Sequence, residues 1–262
     1  MNKDYTLREL LDLNEYGFYT HMPDSVVKRN ELGYFLKNKV IETYSYITPT
    51  LEGEKNFELF LSYAFNFFSS GNEYFILKHP LDEYYQRNSK ILRTKGFISA
   101  IYDVSVMYWN NAKESLRPNP ALRLERVPKK DVNRWVEVFF DAFNYPKSLI
   151  AYITQMVIVQ IEHGIEFYVG KVSDKDVSCF CVYNDGQIMG IYGVGTKTRY
   201  QRRGYATAML SNYINNLIQE DKKASFCLQV QKNTGAERLY KKIGFKTIYV
   251  QKRFDWNPLL IR

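Results

Sequence analysis

With 262 residues, 45% of them hydrophobic and 24% charged, the chain has the composition of an ordinary globular protein of one large domain or two small ones. Its net charge of +8 favours anionic partners, phosphate-bearing cofactors among them, but the basic residues form neither a basic tail nor a nucleic-acid module, so no nucleic-acid partner is expected. Cys179, Cys181 and Cys227, like His21, His79 and His163, have neither disulfide nor metal spacing, so no metal is expected and a cytoplasmic location suits the chain.

The opening Met1-Asn2-Lys3-Asp4 lacks the apolar run of a secretory signal. The most apolar stretch, 149–161, is broken by Thr154, Gln155 and Gln160 and is too short for a bilayer core of ~30 Å, so no membrane partner is expected. Further along, Phe57, Phe60, Leu61, Ala64, Phe65 and Phe68 recur at helical spacing, 74–77 reads as a strand, and a helix over 81–95 stops at Gly96. The clearest boundary is Arg117-Pro118-Asn119-Pro120, where two prolines restrict themselves and the residues before them, dividing the chain into 1–118 and 119–262.

Beyond it, 122–127 reads as a strand. Pro128 opens a helix with Val132, Trp135, Val136, Phe139, Phe140 and Phe143 on one face, and a second helix follows Pro146. Strands over 166–172, 177–183 and 187–195 form a meander, with turn chemistry at Asn184-Asp185-Gly186. A helix after Gly204 lines up Ala206, Met209, Leu210, Tyr213, Ile214, Leu217 and Ile218, and 225–231 alternates, with Cys227, Gln229 and Gln231 on its more polar face. Thr234 and Glu237 have capping-box spacing for a helix that carries Leu239, Tyr240 and Ile243 and stops at Gly244; a last strand begins near Lys246. This order predicts a mixed α/β (α+β) fold, a mixed central sheet flanked by helices.

The N-terminal region echoes the pattern. Residues 92–102 parallel 239–249, each run leading to a tryptophan, Trp109 and Trp256, with a one-residue slip near Gly96. Residues 1–118 are therefore expected as a degenerate copy, and with no counterpart of 201–206 they are expected to hold no cofactor.

The chemistry is concentrated between Ile188 and Ala206, where a strand runs through a basic, glycine-containing loop into an amphipathic helix. The first amides of such a helix lack internal acceptors and the helix dipole makes them positive, so the loop suits phosphate, with Arg199, Arg202 and Arg203 adding charge. Gly193-Val194-Gly195 starts like a dinucleotide fingerprint but has Thr198 where the third glycine belongs, and the Walker spacing is absent.

Gln201, Gly204 and Ala206 match the pyrophosphate signature of the GNAT acetyltransferase superfamily, and Asn233, Tyr240 and Gly244-Phe245 match its downstream motif; over residues 121–262 the chain resembles that superfamily. The resemblance implies acetyl-CoA as co-substrate and an amine of a small molecule or peptide as acceptor, and it allows a homodimer. It places the pyrophosphate on the amides of Arg202, Arg203, Gly204, Tyr205, Ala206 and Thr207, with Gln201 in the same loop. It sets the pantetheine arm along Val194, Gly195 and Thr196 and against Asn233, the thioester oxygen at the Val194 amide, and the leaving sulfur at Tyr240. A phenol with a reference pKa of about 10 is a weaker acid than a thiol of about 8.5, so Tyr240 is expected to act through a strengthening hydrogen bond. Members with a carboxylate on the strand before the loop differ from this chain, whose 188–196 has none. Tyr192, Gln229 and Gln231, with Asp141 and Glu166 further off, are the remaining polar candidates, and no general base is assigned. The alternatives are a non-catalytic acyl-CoA-binding interaction protein and a composite tandem transferase with a larger donor.

Overall fold

The computed structural model describes residues 6–69, 73–110, 121–219 and 224–258; the proline boundary at 117–120 lies outside them. In chain order the elements are α1 Leu7–Thr20, β1 Ser25–Arg29, β2 Gly33–Asn38, β3 Tyr46–Pro49, α2 Leu51–Lys55, α3 Phe57–Phe67, β4 Phe75–Pro80, α4 Tyr85–Thr94 and β5 Ile98–Asn110. They continue with β6 Arg123–Arg126, α5 Val132–Phe143, α6 Ile150–Glu162, β7 Glu166–Val172, β8 Lys175–Asn184, β9 Met189–Thr196, α7 Tyr205–Gln219, β10 Ser225–Gln231, α8 Gly235–Ile243 and β11 Lys246–Trp256. Two compact units result, and they interleave in sequence: Met1–Met107, Gln229–Glu237 and Thr247–Arg262 form the first, Tyr108–Leu228 and Arg238–Lys246 the second. Among the described residues no helix is long and apolar enough to cross a membrane.

In the first unit the strands lie in the order β1-β2-β3-β4-β11, antiparallel except for the parallel pair β3 and β4. One face of this sheet carries Phe35, Ile47, Phe75, Leu77 and Phe254, which pack with Phe57, Phe60 and Ala64 of α3 and Leu92 of α4. The opposite face carries Tyr34, Leu36, Tyr46 and Ile76, packed with Tyr16 of α1. Helix α1 and the first three strands escaped the sequence reading for a physical reason. The inward side of α1 buries Asp12, Asn14 and Glu15 beside Leu11 and Phe18, so its hydrophobic stripe is interrupted by polar residues.

The second unit repeats the pattern, with strand order β10-β9-β8-β7-β6, antiparallel except for the parallel pair β9 and β10. Its core joins Trp135 and Phe139 of α5 to Phe167, Phe180, Tyr213 and Phe226. Helix α5 lies close on β9, since a Cβ on Gly195 would meet Ala142 Cβ at 2.8 Å and Phe143 at 3.0 Å. The expected Asn184-Asp185-Gly186 turn is present, with the Asn184 side chain accepting the Gly186 amide at 2.9 Å and Asp185 accepting those of Gln187 and Ile188. All three cysteines are free and buried.

The chain thus runs twice through a parallel strand pair joined through helix, followed by a helix and a long strand: β3-α2-α3-β4-α4-β5 and β9-α7-β10-α8-β11. The helix stops are the same turn. Gly96 (φ 88°) follows α4 with the Phe97 amide bonded to Leu92 O at 3.0 Å, and Gly244 (φ 107°) follows α8 with the Phe245 amide bonded to Tyr240 O at 3.0 Å. This geometry corrects the register of the expected echo: Leu92 corresponds to Tyr240, not to Leu239.

Candidate functional site

The site begins with an irregularity in β9. Cys179 pairs with Gly195 and Cys181 with Tyr192, so Gly193 and Val194 together oppose the single residue Phe180 in a β-bulge. Such a bulge takes an extra residue out of the ladder and exposes its backbone groups. Gly193 is required twice over: its φ is 59°, and a Cβ there would lie 3.0 Å from the Trp135 ring. The same indole donates to the Phe180 carbonyl at 2.9 Å, so one side chain both roofs the bulge and satisfies the residue opposite it. The thiols of Cys179 and Cys181 donate to the Gly193 and Tyr192 carbonyls, and burial pushes both well above the usual thiol range, which makes them packing groups.

Past Thr196 the chain is held by α5: Glu137 pairs with Lys197, and the Asp141 carboxylate accepts the Thr198 amide. Gln201 turns its side-chain amide back onto Thr196 O at 3.1 Å. Arg202 (φ 59°) and Gly204 (φ 80°) are both left-handed, and the position a Gly204 Cβ would occupy faces open space. Helix α7 then starts at Tyr205 with no acidic residue in its first turn. The first-turn amides of Tyr205, Ala206 and Thr207 have no helical acceptor and face the dipole's positive end. Arg199 and Arg203 lie 4.8 and 5.7 Å from the Tyr200 ring centroid, and Arg202 and Arg203 are exposed. The turn is open and basic, an arrangement that suits an anion.

Tyr240, on α8 of the second unit, is buried, and desolvation holds its phenol far above the ordinary value, so it stays neutral. Asn233 belongs to the first unit, where it is left-handed (φ 64°). The Glu237 amide reaches Thr234 Oγ1 at 3.3 Å, as the capping box requires, but the carboxylate accepts from the Asn233 amide at 2.9 Å, one residue before the box position, and from Ser105 at 2.8 Å. Two of the remote base candidates have structural partners: Asp141 caps the loop as above, and Glu166 accepts from Tyr168 at 2.7 Å and pairs with Arg126. Tyr192 is buried, Gln229 half-buried and Gln231 exposed. Trp135 was not singled out for the site from sequence, because its spacing on α5 is that of any core residue.

One further cluster is invisible in sequence. Ligand atoms of Glu54, His79 and Asp82 lie within 4.8 Å of one another. Arg8 pairs with both carboxylates, and the His79 ring nitrogens face Pro80 O at 2.6 Å and the Asn88 side-chain amide at 3.0 Å. Burial lowers His79 to about 4, so the ring is neutral and already engaged. The cluster is a hydrogen-bonded ion network.

The family model described as FR47-like protein matches residues 171–254, which include the bulge, the basic loop and α8. No curated protein matches the sequence. Among solved structures, a GCN5-related N-acetyltransferase from Kribbella flavida is similar with a TM-score of 0.68 at 10% identity, covering 96% of both chains. The chain has the GNAT fold. A GCN5-related N-acetyltransferase from Sphaerobacter thermophilus has a TM-score of 0.65 at 15% identity, covering 96% of this chain and 85% of the other. A tandem GNAT protein from the clavulanic acid biosynthesis pathway has a TM-score of 0.59 at 10% identity over 97% and 95% of the two chains. These likenesses span both units, so the first unit is part of what the GNAT-fold structures share with this chain.

Proposed function

We propose that the chain is an acyltransferase that uses acyl-CoA, acetyl-CoA first among donors, to acylate a primary amine of a small molecule or peptide. The observation that carries this reading is the bulged β9 followed by the open, left-handed, arginine-bearing turn at the start of α7. In that reading the amides of residues 202–207 hold the pyrophosphate, and the Val194 amide accepts the charge that develops on the thioester oxygen as the amine nitrogen attacks its carbon. The carbon–sulfur bond then breaks, and Tyr240, too weak an acid to surrender its proton, stabilises the departing thiolate by hydrogen bonding. The amine loses its proton to solvent or to a base supplied with the acceptor. GNAT-fold structures named as acetyltransferases support the donor.

The absence of a carboxylate on β9 favours one competitor, an acyl-CoA-binding protein without turnover. Release of free CoA thiol from acetyl-CoA across a panel of amines separates the two. The transferase reading expects amine-dependent release that Tyr240→Phe slows about tenfold. Tight CoA binding with no amine supporting release, and no effect of the substitution, would sink it.

A further inference from the structure

The first unit contains an open cleft of about 560 Å³ that takes no part in the acyl-donor turn. Its walls are the rings of Tyr19, Tyr44, Tyr74 and Tyr102, and its charged residues are Arg253 and Asp255, two apart on β11 and so on one face of the strand. Tyr74 donates to Asp255 Oδ1 at 2.8 Å, and no other hydrogen bond reaches that carboxylate among the described residues. The Arg253 guanidinium lies 6.0 Å from the Tyr102 ring centroid, and its buried Nε–H meets no acceptor among the described residues. The Arg253 residue as a whole is only half-buried, and no ion pair compensates its charge among the described residues, so a ligand carboxylate can approach its terminal guanidinium nitrogens. Ile76, Ile98 and Ala100 add apolar surface to the cleft, Ile98 being 46% exposed.

These features restrict the occupant. A simple anion would satisfy Arg253 but meet Asp255, and a simple cation would meet Arg253, which stands directly across the strand pair from Lys78. A small molecule carrying both charges satisfies both. Tyrosine faces also favour an ammonium and pack well against an apolar or aromatic group. We infer that this cleft binds a free α-amino acid with a large apolar or aromatic side chain, its carboxylate on Arg253, its ammonium on Asp255 and its side chain between the tyrosines and Ile98.

Calorimetric titration of the full chain, without acetyl-CoA, with L-phenylalanine, L-tyrosine and L-leucine reads binding independently of any transferase activity. At least one should saturate. For L-phenylalanine as the binder, 3-phenylpropionate, which lacks the ammonium, and phenethylamine, which lacks the carboxylate, should each bind at least tenfold more weakly; the deaminated and decarboxylated analogues serve the same purpose for the others. Arg253→Met and Asp255→Asn should weaken the amino acid at least tenfold. No saturation by any of the three overturns the inference, as do analogues that bind as well as the amino acid. Because the analogue series uses the unaltered protein, it decides the matter even if a substituted chain misfolds; a folded Arg253→Met chain with undiminished affinity also overturns it.

Discussion

Trp135 joins packing to the site more directly than any other side chain described. It stacks on Phe139 at 4.7 Å, closes on Gly193 and holds the Phe180 carbonyl. Replacing it with Phe keeps most of the apolar area but leaves that carbonyl without its partner, at a cost of about 1–3 kcal/mol. Trp135→Phe should therefore lower the melting temperature by a few degrees, at about 2–4 °C per kcal/mol, and raise the KM for acetyl-CoA, because the bulge loses its roof. Tyr240→Phe should behave differently. In the proposed reaction its buried phenol would contribute only once charge appears on sulfur, so steady-state kinetics should find kcat lowered about tenfold with KM for acetyl-CoA nearly unchanged. Gly204 and Tyr240 were legible in the sequence because each sits at fixed spacing within a local motif. Trp135 was not, since its contacts at Phe180 and Gly193 lie far along the chain and helical periodicity records only that it is inward.

At the scale of elements, two helix starts in matching places of the two units have opposite chemistry. Helix α7 opens on left-handed Arg202 and Gly204, with no acid in its first turn. Helix α2, after β3, is capped by its own Thr50, whose hydroxyl accepts the Gly53 amide at 3.2 Å, and carries Glu52 and Glu54 in its first turn. Carboxylates there occupy the dipole's positive end and repel phosphate. The same divergence marks α4 and α8, where Leu92 stands in the place of Tyr240. Gly204→Ala tests the open turn. Left-handed backbone costs a non-glycine residue about 1–2 kcal/mol, but the new methyl meets open space, so the protein should fold with a small loss of melting temperature. The KM for acetyl-CoA should rise by more than that loss accounts for, since the methyl occupies the approach to the amides. The strands and helices of the second unit were readable because each carries a clean period and a turn signal. Helix α1 buries charge, and β1 is largely exposed, so neither offered a period to follow.

At the scale of the whole molecule, the buried ionisable groups of the first unit make stability depend on pH. Burial pushes Asp12 from 3.8 up to about 6 and Glu54 from 4.5 up to about 7. Both carboxyls hold protons more tightly folded than unfolded, so the folded chain loses stability as pH rises from about 4 to about 7. Lys78, lowered by burial from 10.5 to about 8, acts in the other sense and returns stability only above about 8. His79, lowered by burial from 6.5 to about 4, returns stability between about 4 and 6.5 and offsets one of the two carboxyls there, so melting temperature should fall modestly between pH 5 and 7. Asp12→Asn, which retains an oxygen acceptor for the Tyr249 hydroxyl, should melt above the parent at pH 8, with the advantage shrinking towards pH 4. A parent melting curve that is flat across this range would contradict the burial account.

The two tryptophans that close the repeated runs end up in exchanged places. Trp109, from the N-terminal run, sits in the second unit against Gly244 and Phe226, while Trp256, from the C-terminal run, sits in the first unit at 5.0 Å from Phe97. On a ribosome this ordering has a temporal meaning. The first unit's sheet lacks β11 until residues 246–256 have been made, so β4 waits for a partner strand synthesised well after it. A nascent chain stopped anywhere before residue 256 leaves the first unit without its full edge-to-edge pairing, and a fragment begun after residue 119 lacks Trp109. Truncation from either end therefore takes a packed tryptophan from one unit: Trp256 from the first, Trp109 from the second.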